Sequence, residues 1–108
     1  MPRTLTHPGA HLAERLAELN MSAAELGRRL AVPTNRITGI LNGQRGITGD
    51  TALRLGHFFG MPAEHWLNLQ TVYELGVAER KLGAALRRLP TLSNRKPSTY
   101  TRSGLGAP

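Results

Sequence analysis

The tightest constraint in this sequence lies between Ala23 and Asn42, where two short stretches of helical spacing meet across a sharp break. Leu26 and Leu30 fall one helical turn apart, and beyond Ala31-Val32-Pro33 the same spacing returns in Ile37, Ile40 and Leu41. Pro33 disfavours helix at Val32 but suits the first turn of a new helix, so the break is short. To hide both apolar sets the two helices must cross steeply, with Val32 filling the corner. One side of the second helix is then left free.

That free side, on a helix predicted over Thr34 to about Asn42, carries Thr34, Asn35, Thr38, Gly39 and Asn42, with Arg36 beside them. Asn can pair bidentately with adenine, and Thr can offer a hydroxyl and a methyl group to thymine. Gly39 is expected to let the helix backbone come close to a partner surface. An ordinary solvated helix carries Glu and Lys, whereas this stretch has no acid, which suits phosphates. Thr34, Asn35, Thr38 and Gly39 are therefore the candidate base readers of double-stranded DNA. Ser22, Arg36, Asn42, Gln44 and Arg45 are the candidate phosphate contacts, with Arg28 and Arg29 as weaker ones.

Helical signals also dominate the flanks. After His7-Pro8-Gly9, Leu12, Leu16 and Leu19 predict a first helix to about Leu19, followed by a break at Asn20-Met21. Ser22 and Glu25 read as a capping box, each side chain satisfying the other's free backbone N–H. Gly43 is placed to stop the third helix in a left-handed conformation. Thr48 caps a fourth, with Ala52, Leu55 and Phe59 on one face and Leu53 and Phe58 beside them, and Gly60 ends it.

Pro62 opens a fifth helix with the stripe Trp66, Leu69, Tyr73 and Val77. A second run, Leu75, Ala78, Leu82, Leu86 and Leu89, continues the helix or bends at Gly76 or Gly83, and Pro90 stops it. Two stripes on one helix need more cover than so small a domain supplies. Met61, Trp66, Leu69 and Tyr73 are thus expected at a homodimer seam, which would set two reading helices about 34 Å apart on a palindromic site.

A chain of 108 residues with 40% hydrophobic residues supports one modest core and leaves no room for a deep catalytic cavity. The absence of cysteine excludes disulfides and thiolate metal sites. No apolar run approaches the roughly 18 residues of a membrane span, and the N-terminus lacks a signal-peptide segment, so a soluble, cytoplasmic, nucleoid-associated protein is expected.

The net charge of +7 is localised. Residues 1–79 balance seven Arg against seven acids, while residues 80–108 add seven basic residues and no acid. From Pro90 onward Ser, Thr, Pro and Gly predominate without periodicity, which predicts a flexible tail. The expected organisation is therefore a DNA-binding domain with a C-terminal dimerisation helix over residues 1–89 and a basic tail over 90–108, the tail favouring a polyanion. The histidines lack metal-ligand spacing, and no nucleophile–base pair or phosphate-cradling loop stands out. No metal, cofactor or enzymatic activity is expected.

Several segments together resemble the HigA-like antitoxins, within the wider phage-repressor (XRE) helix-turn-helix group. They are His7-Pro8-Gly9, the run from Asn35 to Gly43, the run from Ile47 to Leu55, and Phe58-Phe59-Gly60 followed by Trp66-Leu67-Asn68-Leu69-Gln70. The resemblance implies an all-α, lambda-repressor-like five-helix bundle with a C-terminal helix extension. It also implies a dimeric antitoxin that represses its own operon and neutralises a HigB-like, RelE-type RNA-cleaving toxin. A stand-alone repressor without a toxin, or a protein-interaction adaptor on the same fold, are the alternatives. Two positions depart from the family pattern. Gly27 stands where alanine is usual, which weakens the second helix, and Ala31 stands where glycine is usual, which is strained if the turn demands positive φ.

Overall fold

Short-range chemistry sets the helix ends. The computed structural model describes residues 5–92, which contain six helices and no strand: α1 (Pro8–Leu19), α2 (Ala23–Leu30), α3 (Thr34–Leu41), α4 (Gly49–Phe59), α5 (Ala63–Leu82) and α6 (Ala84–Arg88). His7 caps α1, its Nδ1 accepting from the Gly9 N–H at 2.9 Å, with Pro8 as the first helical residue. Asn20 closes α1 in the left-handed region (φ 53°), where its short polar side chain is tolerated. Thr48 caps α4 by accepting from Thr51 N–H, and Gly60 ends it at φ 72°.

The α2–α3 corner has two closures. Ser22 Oγ accepts from Glu25 N–H at 3.1 Å, but the capping box is only half made, because the Glu25 carboxylate turns to Arg28 and Arg29 instead of back to Ser22. At the other end Ala31 adopts φ 59°, ψ 45°; its N–H reaches the Arg28 carbonyl and Val32 N–H reaches that of Gly27. This is a Schellman closure with alanine in the glycine position. Gly27 has a packing reason to lack a side chain: a Cβ there would lie 3.0 Å from the Val32 carbonyl oxygen and 3.4 Å from Thr34 Cα.

The core draws on Leu12 and Leu16 of α1, Leu26 and Leu30 of α2, and Ile37 and Ile40 of α3, with Val32 in the corner. Ile47, Ala52, Leu55 and Trp66 complete it. Phe58, Phe59, Met61 and Leu69 pack against it, partly buried. Gly9 brings α1 onto the end of α3 so closely that a Cβ would overlap the Ile40 carbonyl oxygen.

The expected five helices become six, because Gly83 (φ 50°, ψ −132°) takes a conformation that breaks the last stretch into α5 and α6. Gly76 is buried inside α5, and the helix continues through it. The chain divides into two compact units between Ala78 and Glu79. The whole core lies in the first. In the second, the described residues 79–92 are all exposed, including Arg80, Lys81, Arg87 and Arg88. The tail cations Arg95, Lys96 and Arg102, and most of the tail expected over 90–108, lie outside the described residues. Among the described residues no helix is long and apolar enough to cross a membrane.

Candidate nucleic-acid interface

The corner between α2 and α3 turns five apolar side chains inward: Leu26, Leu30, Val32, Ile37 and Ile40 are buried. Thr34 and Asn35 face out and are exposed, and Thr38 and Gly39 are half-buried beside them. Thr38 Oγ1 donates to the Asn35 carbonyl at 3.3 Å, which fixes the rotamer and leaves the oxygen lone pairs available. Ser22, Asn42, Gln44 and Arg45 are also exposed. Because Ser22 Oγ accepts its cap bond, its proton is free to donate.

The loop after α3 folds back on the helix. Gly43 takes φ 77°, and the N–H groups of Gln44 and Arg45 both donate to the Gly39 carbonyl, at 2.9 and 3.0 Å. Arg45 then lays its aliphatic stem over Gly39, with Cδ and Cγ 3.0 and 3.2 Å from where a Cβ would stand. The glycine at 39 thus seats Arg45, and the close approach expected there is made by the protein's own arginine. Arg45 and Arg36 meet Arg54, Thr48 and Thr51 around a cleft of about 440 Å³ that Asp50 also lines. Three guanidinium groups against one carboxylate leave the cleft positively charged, as a phosphate contact requires.

Arg36 is not a free cation. Its guanidinium holds Asp50 at 2.6 Å, and Arg54 Nε holds the same oxygen at 3.0 Å. Arg54 also donates to the Leu30 carbonyl at 2.7 Å, tying α4 to the end of α2. Hydrogen bonds from Arg54 and then Arg36 hold the Asp50 carboxyl below its ordinary range. Glu25 is likewise held low, by Arg28 first and Arg29 next, so both of those arginines already have a partner.

Two residues outside the predicted set organise this region. His7, besides capping α1, stands edge-on to Tyr73 with ring centroids 4.8 Å apart, and its ring lies 4.0 Å from where a Cβ would stand on Gly43. Burial pushes its pKa down, and the Arg45 backbone opposes the shift. Gln70 is only 9% exposed; its Oε1 accepts from Ile47 N–H at 2.7 Å and its Nε2 donates to Glu74 at 3.0 Å. The Pro-flanked capping position of His7 was a local signal. Nothing local distinguishes Gln70.

Of the residues expected at a dimer seam, Trp66 is corrected: at 1% exposure within the single chain it belongs to the core and offers no surface to a partner. Met61, Leu69 and Tyr73 are half-buried, Met61 accepting a contact from Arg15 through its sulfur at 3.5 Å. Among the described residues no group of three or more His, Asp or Glu could hold a metal ion.

Two short helices locked at a buried corner, the second showing an acid-free polar face beside a loop of donors, define a helix-turn-helix domain. The Helix-turn-helix family pattern matches residues 12–66. Virulence-associated protein I of Dichelobacter nodosus is 49% identical over 75 residues, which span 68% of this chain and 69% of that protein. The addiction module antidote protein of the HigA family from Coxiella burnetii has a similar structure: TM-score 0.79 and 51% identity, covering 84% of this chain and 98% of that one. Pseudomonas aeruginosa antitoxin HigA, solved with the higBA promoter, gives a TM-score of 0.78 and 37% identity over 82% of this chain and 99% of its own. The chain belongs to the helix-turn-helix family, and its structural neighbours there are HigA antitoxins.

Proposed function

We propose that this protein is an antitoxin that binds its own promoter as a homodimer, represses that operon and neutralises a HigB-like RNA-cleaving toxin. The observation that carries the reading is the inward pairing of Ile37 and Ile40, which leaves Thr34, Asn35 and Thr38 on a face with no acid. A HigA antitoxin of the same fold has been solved with promoter DNA, which supports the same use of that face. In this reading Thr34, Asn35 and Thr38 read base edges and Gly39 seats Arg45. Ser22, Asn42, Gln44 and Arg45 hold phosphates, and Arg36 joins them on leaving Asp50. Met61, Leu69 and Tyr73 contribute to the dimer seam, and residues 1–89 act as the DNA-binding and dimerising part. The toxin partner rests on the HigA likeness alone.

The test is a fluorescence-anisotropy titration of the chain's promoter against a shuffled duplex at several salt concentrations. Selective binding that weakens with salt is expected. Asn35→Ala or Thr38→Ala should narrow the promoter-to-shuffled ratio, each lost base contact being worth about 1–3 kcal/mol. Arg45→Ala should weaken both duplexes alike and lower the salt slope by about one. Equal affinity of the unaltered chain for both duplexes refutes specific regulation. For the toxin arm, the product of the adjacent reading frame is expressed with and without this chain. Growth arrest that this chain does not relieve leaves a stand-alone repressor.

A further inference from the structure

We infer that Gln70 and His7 are positioning residues for DNA binding, holding the loop 43–47 so that Gln44 and Arg45 meet the phosphate backbone; the inference rests on the DNA-binding reading above. Neither belongs to the polar face of α3. Each instead secures the loop from the side of α1 and α5.

The loop's own bonds account only for its first half. Gly43 N–H reaches Ile40, and Gln44 and Arg45 N–H share the Gly39 carbonyl. The second half is held from outside. Ile47 is buried, and its N–H has Gln70 Oε1 as partner at 2.7 Å; a buried N–H left unmatched is costly. Gly46 sits on the same amide, so that a Cβ there would come within 2.9 Å of Gln70 Cδ, Oε1 and Nε2. The orientation of that amide is itself determined, because Nε2 donates to the Glu74 carboxylate at 3.0 Å, which leaves only the oxygen for Ile47.

His7 makes the second support. Its Nδ1 accepts from Gly9 N–H, Tyr73 backs the ring edge-on, and the ring lies 4.0 Å from where a Cβ would stand on Gly43. The loop is therefore backed at its start by the cap of α1 and tied at its end, two residues beyond Arg45, by α5. A buried glutamine with both ends bonded is an unusual filler where an apolar side chain would pack as well. Its specific service here is to the loop.

A double-mutant cycle on the full chain separates positioning from mere stability. Gln70→Met keeps the bulk and removes the acceptor. Promoter affinity should fall about tenfold and the salt slope by about one, the signature of a lost phosphate contact. In an Arg45→Ala background the same substitution should change affinity less than about twofold. Amide hydrogen exchange at Ile47 should quicken in Gln70→Met. Pairing Gln70→Glu with Glu74→Gln restores an acceptor for Ile47 and a donor for that acceptor, so binding should recover. At the second support, His7→Asn can still cap α1 but is too short to back the loop at Gly43, and should repeat the loss without touching Gln70.

Equal losses in both backgrounds, an unchanged salt slope, or full affinity in Gln70→Met would overturn the inference. If Gln70→Met does not fold, His7→Asn and the paired glutamate–glutamine exchange decide the matter by the same criteria. An unaltered chain that shows no preference for its promoter removes the DNA-binding reading, and this inference with it. Selective binding by that chain together with an indifferent Gln70→Met removes the inference alone.

Discussion

Replacing Ala31 by glycine tests how the corner between α2 and α3 is closed. Ala31 stands at φ 59°, ψ 45°, the left-handed region in which a Cβ crowds the following carbonyl. That conformation costs an L-residue with a side chain about 1–2 kcal/mol. Glycine removes the crowding but gives the unfolded chain more freedom, which takes back about 0.4–1 kcal/mol. The bonds that close the turn, Ala31 N–H to Arg28 and Val32 N–H to Gly27, are backbone bonds and survive the exchange. Taking the middle of each range, a net gain of about 0.8 kcal/mol follows, which for a domain of this size raises Tm by about 3–6 °C. Thermal unfolding followed by circular dichroism at one fixed protomer concentration reads it directly, the fixed concentration removing any contribution from association. Gly27→Ala is the control. Helix propensity alone promises about 1 kcal/mol. Its Cβ, however, would press at 3.0 Å on the Val32 carbonyl, whose own residue is bonded back to Gly27, so the gain should vanish or reverse. A Tm that stays level or falls in Ala31→Gly, with the helical signal intact, refutes the assignment of strain to this turn.

Gly9→Ala should destabilise the fold by more than about 3 kcal/mol, beyond ordinary overpacking, because the new methyl meets backbone at Ile40 with no flexible side chain to yield; urea unfolding measures it. Trp66→Ala should lower the stability of the single chain by about 3–5 kcal/mol, the cost of emptying a core site. A loss confined to dimer affinity in analytical ultracentrifugation would instead return Trp66 to a seam. His7 has a folded-state pKa below its ordinary 6.5, so the unfolded chain takes up its proton first. Its contribution is complete above about pH 6.5 and is lost as pH falls toward the folded value. Stability between pH 7 and pH 5 should therefore decline more steeply in the unaltered chain than in His7→Asn, as measured by urea midpoints. Glu25 and Asp50, both held below their ordinary values of 4.5 and 3.8, make contributions that fade only at more acid pH, which keeps the two windows apart.

What the amino-acid sequence disclosed was what neighbours within one or two turns decide. The burial of Leu26, Leu30, Ile37 and Ile40, the cap at Thr48 and the stop at Gly43 all follow from spacing and from single-residue preferences. The positive φ at Ala31 was legible only through the family resemblance, in which glycine is usual at that position. Trp66 was misplaced because a helical stripe shows that a face is apolar without saying what covers it. Arg36 reads from the sequence as a phosphate contact, because its partner Asp50, fourteen residues away, reaches it only after the α3–α4 loop has turned. The Asp50–Arg54 pair on one helix face, four residues apart, is within the reach of local spacing. Gln70 and Ile47 lie 23 residues apart, and no local preference couples them. The half-made capping box shows a competition that pattern alone does not resolve: Glu25 had two guanidinium groups to choose over one backbone N–H.

The Arg36–Asp50 pair bears on how many cations a salt titration would register. An unpaired arginine arriving at a phosphate displaces a condensed counterion, and each such release steepens the dependence on salt. In the DNA-binding reading Arg36 would arrive by giving up Asp50, a carboxylate that Arg54 continues to hold, so no bare charge is left to recruit a cation from solution. Its contact would still register in the dependence on ionic strength, while the surrendered bond makes it add less affinity than an unpaired arginine would.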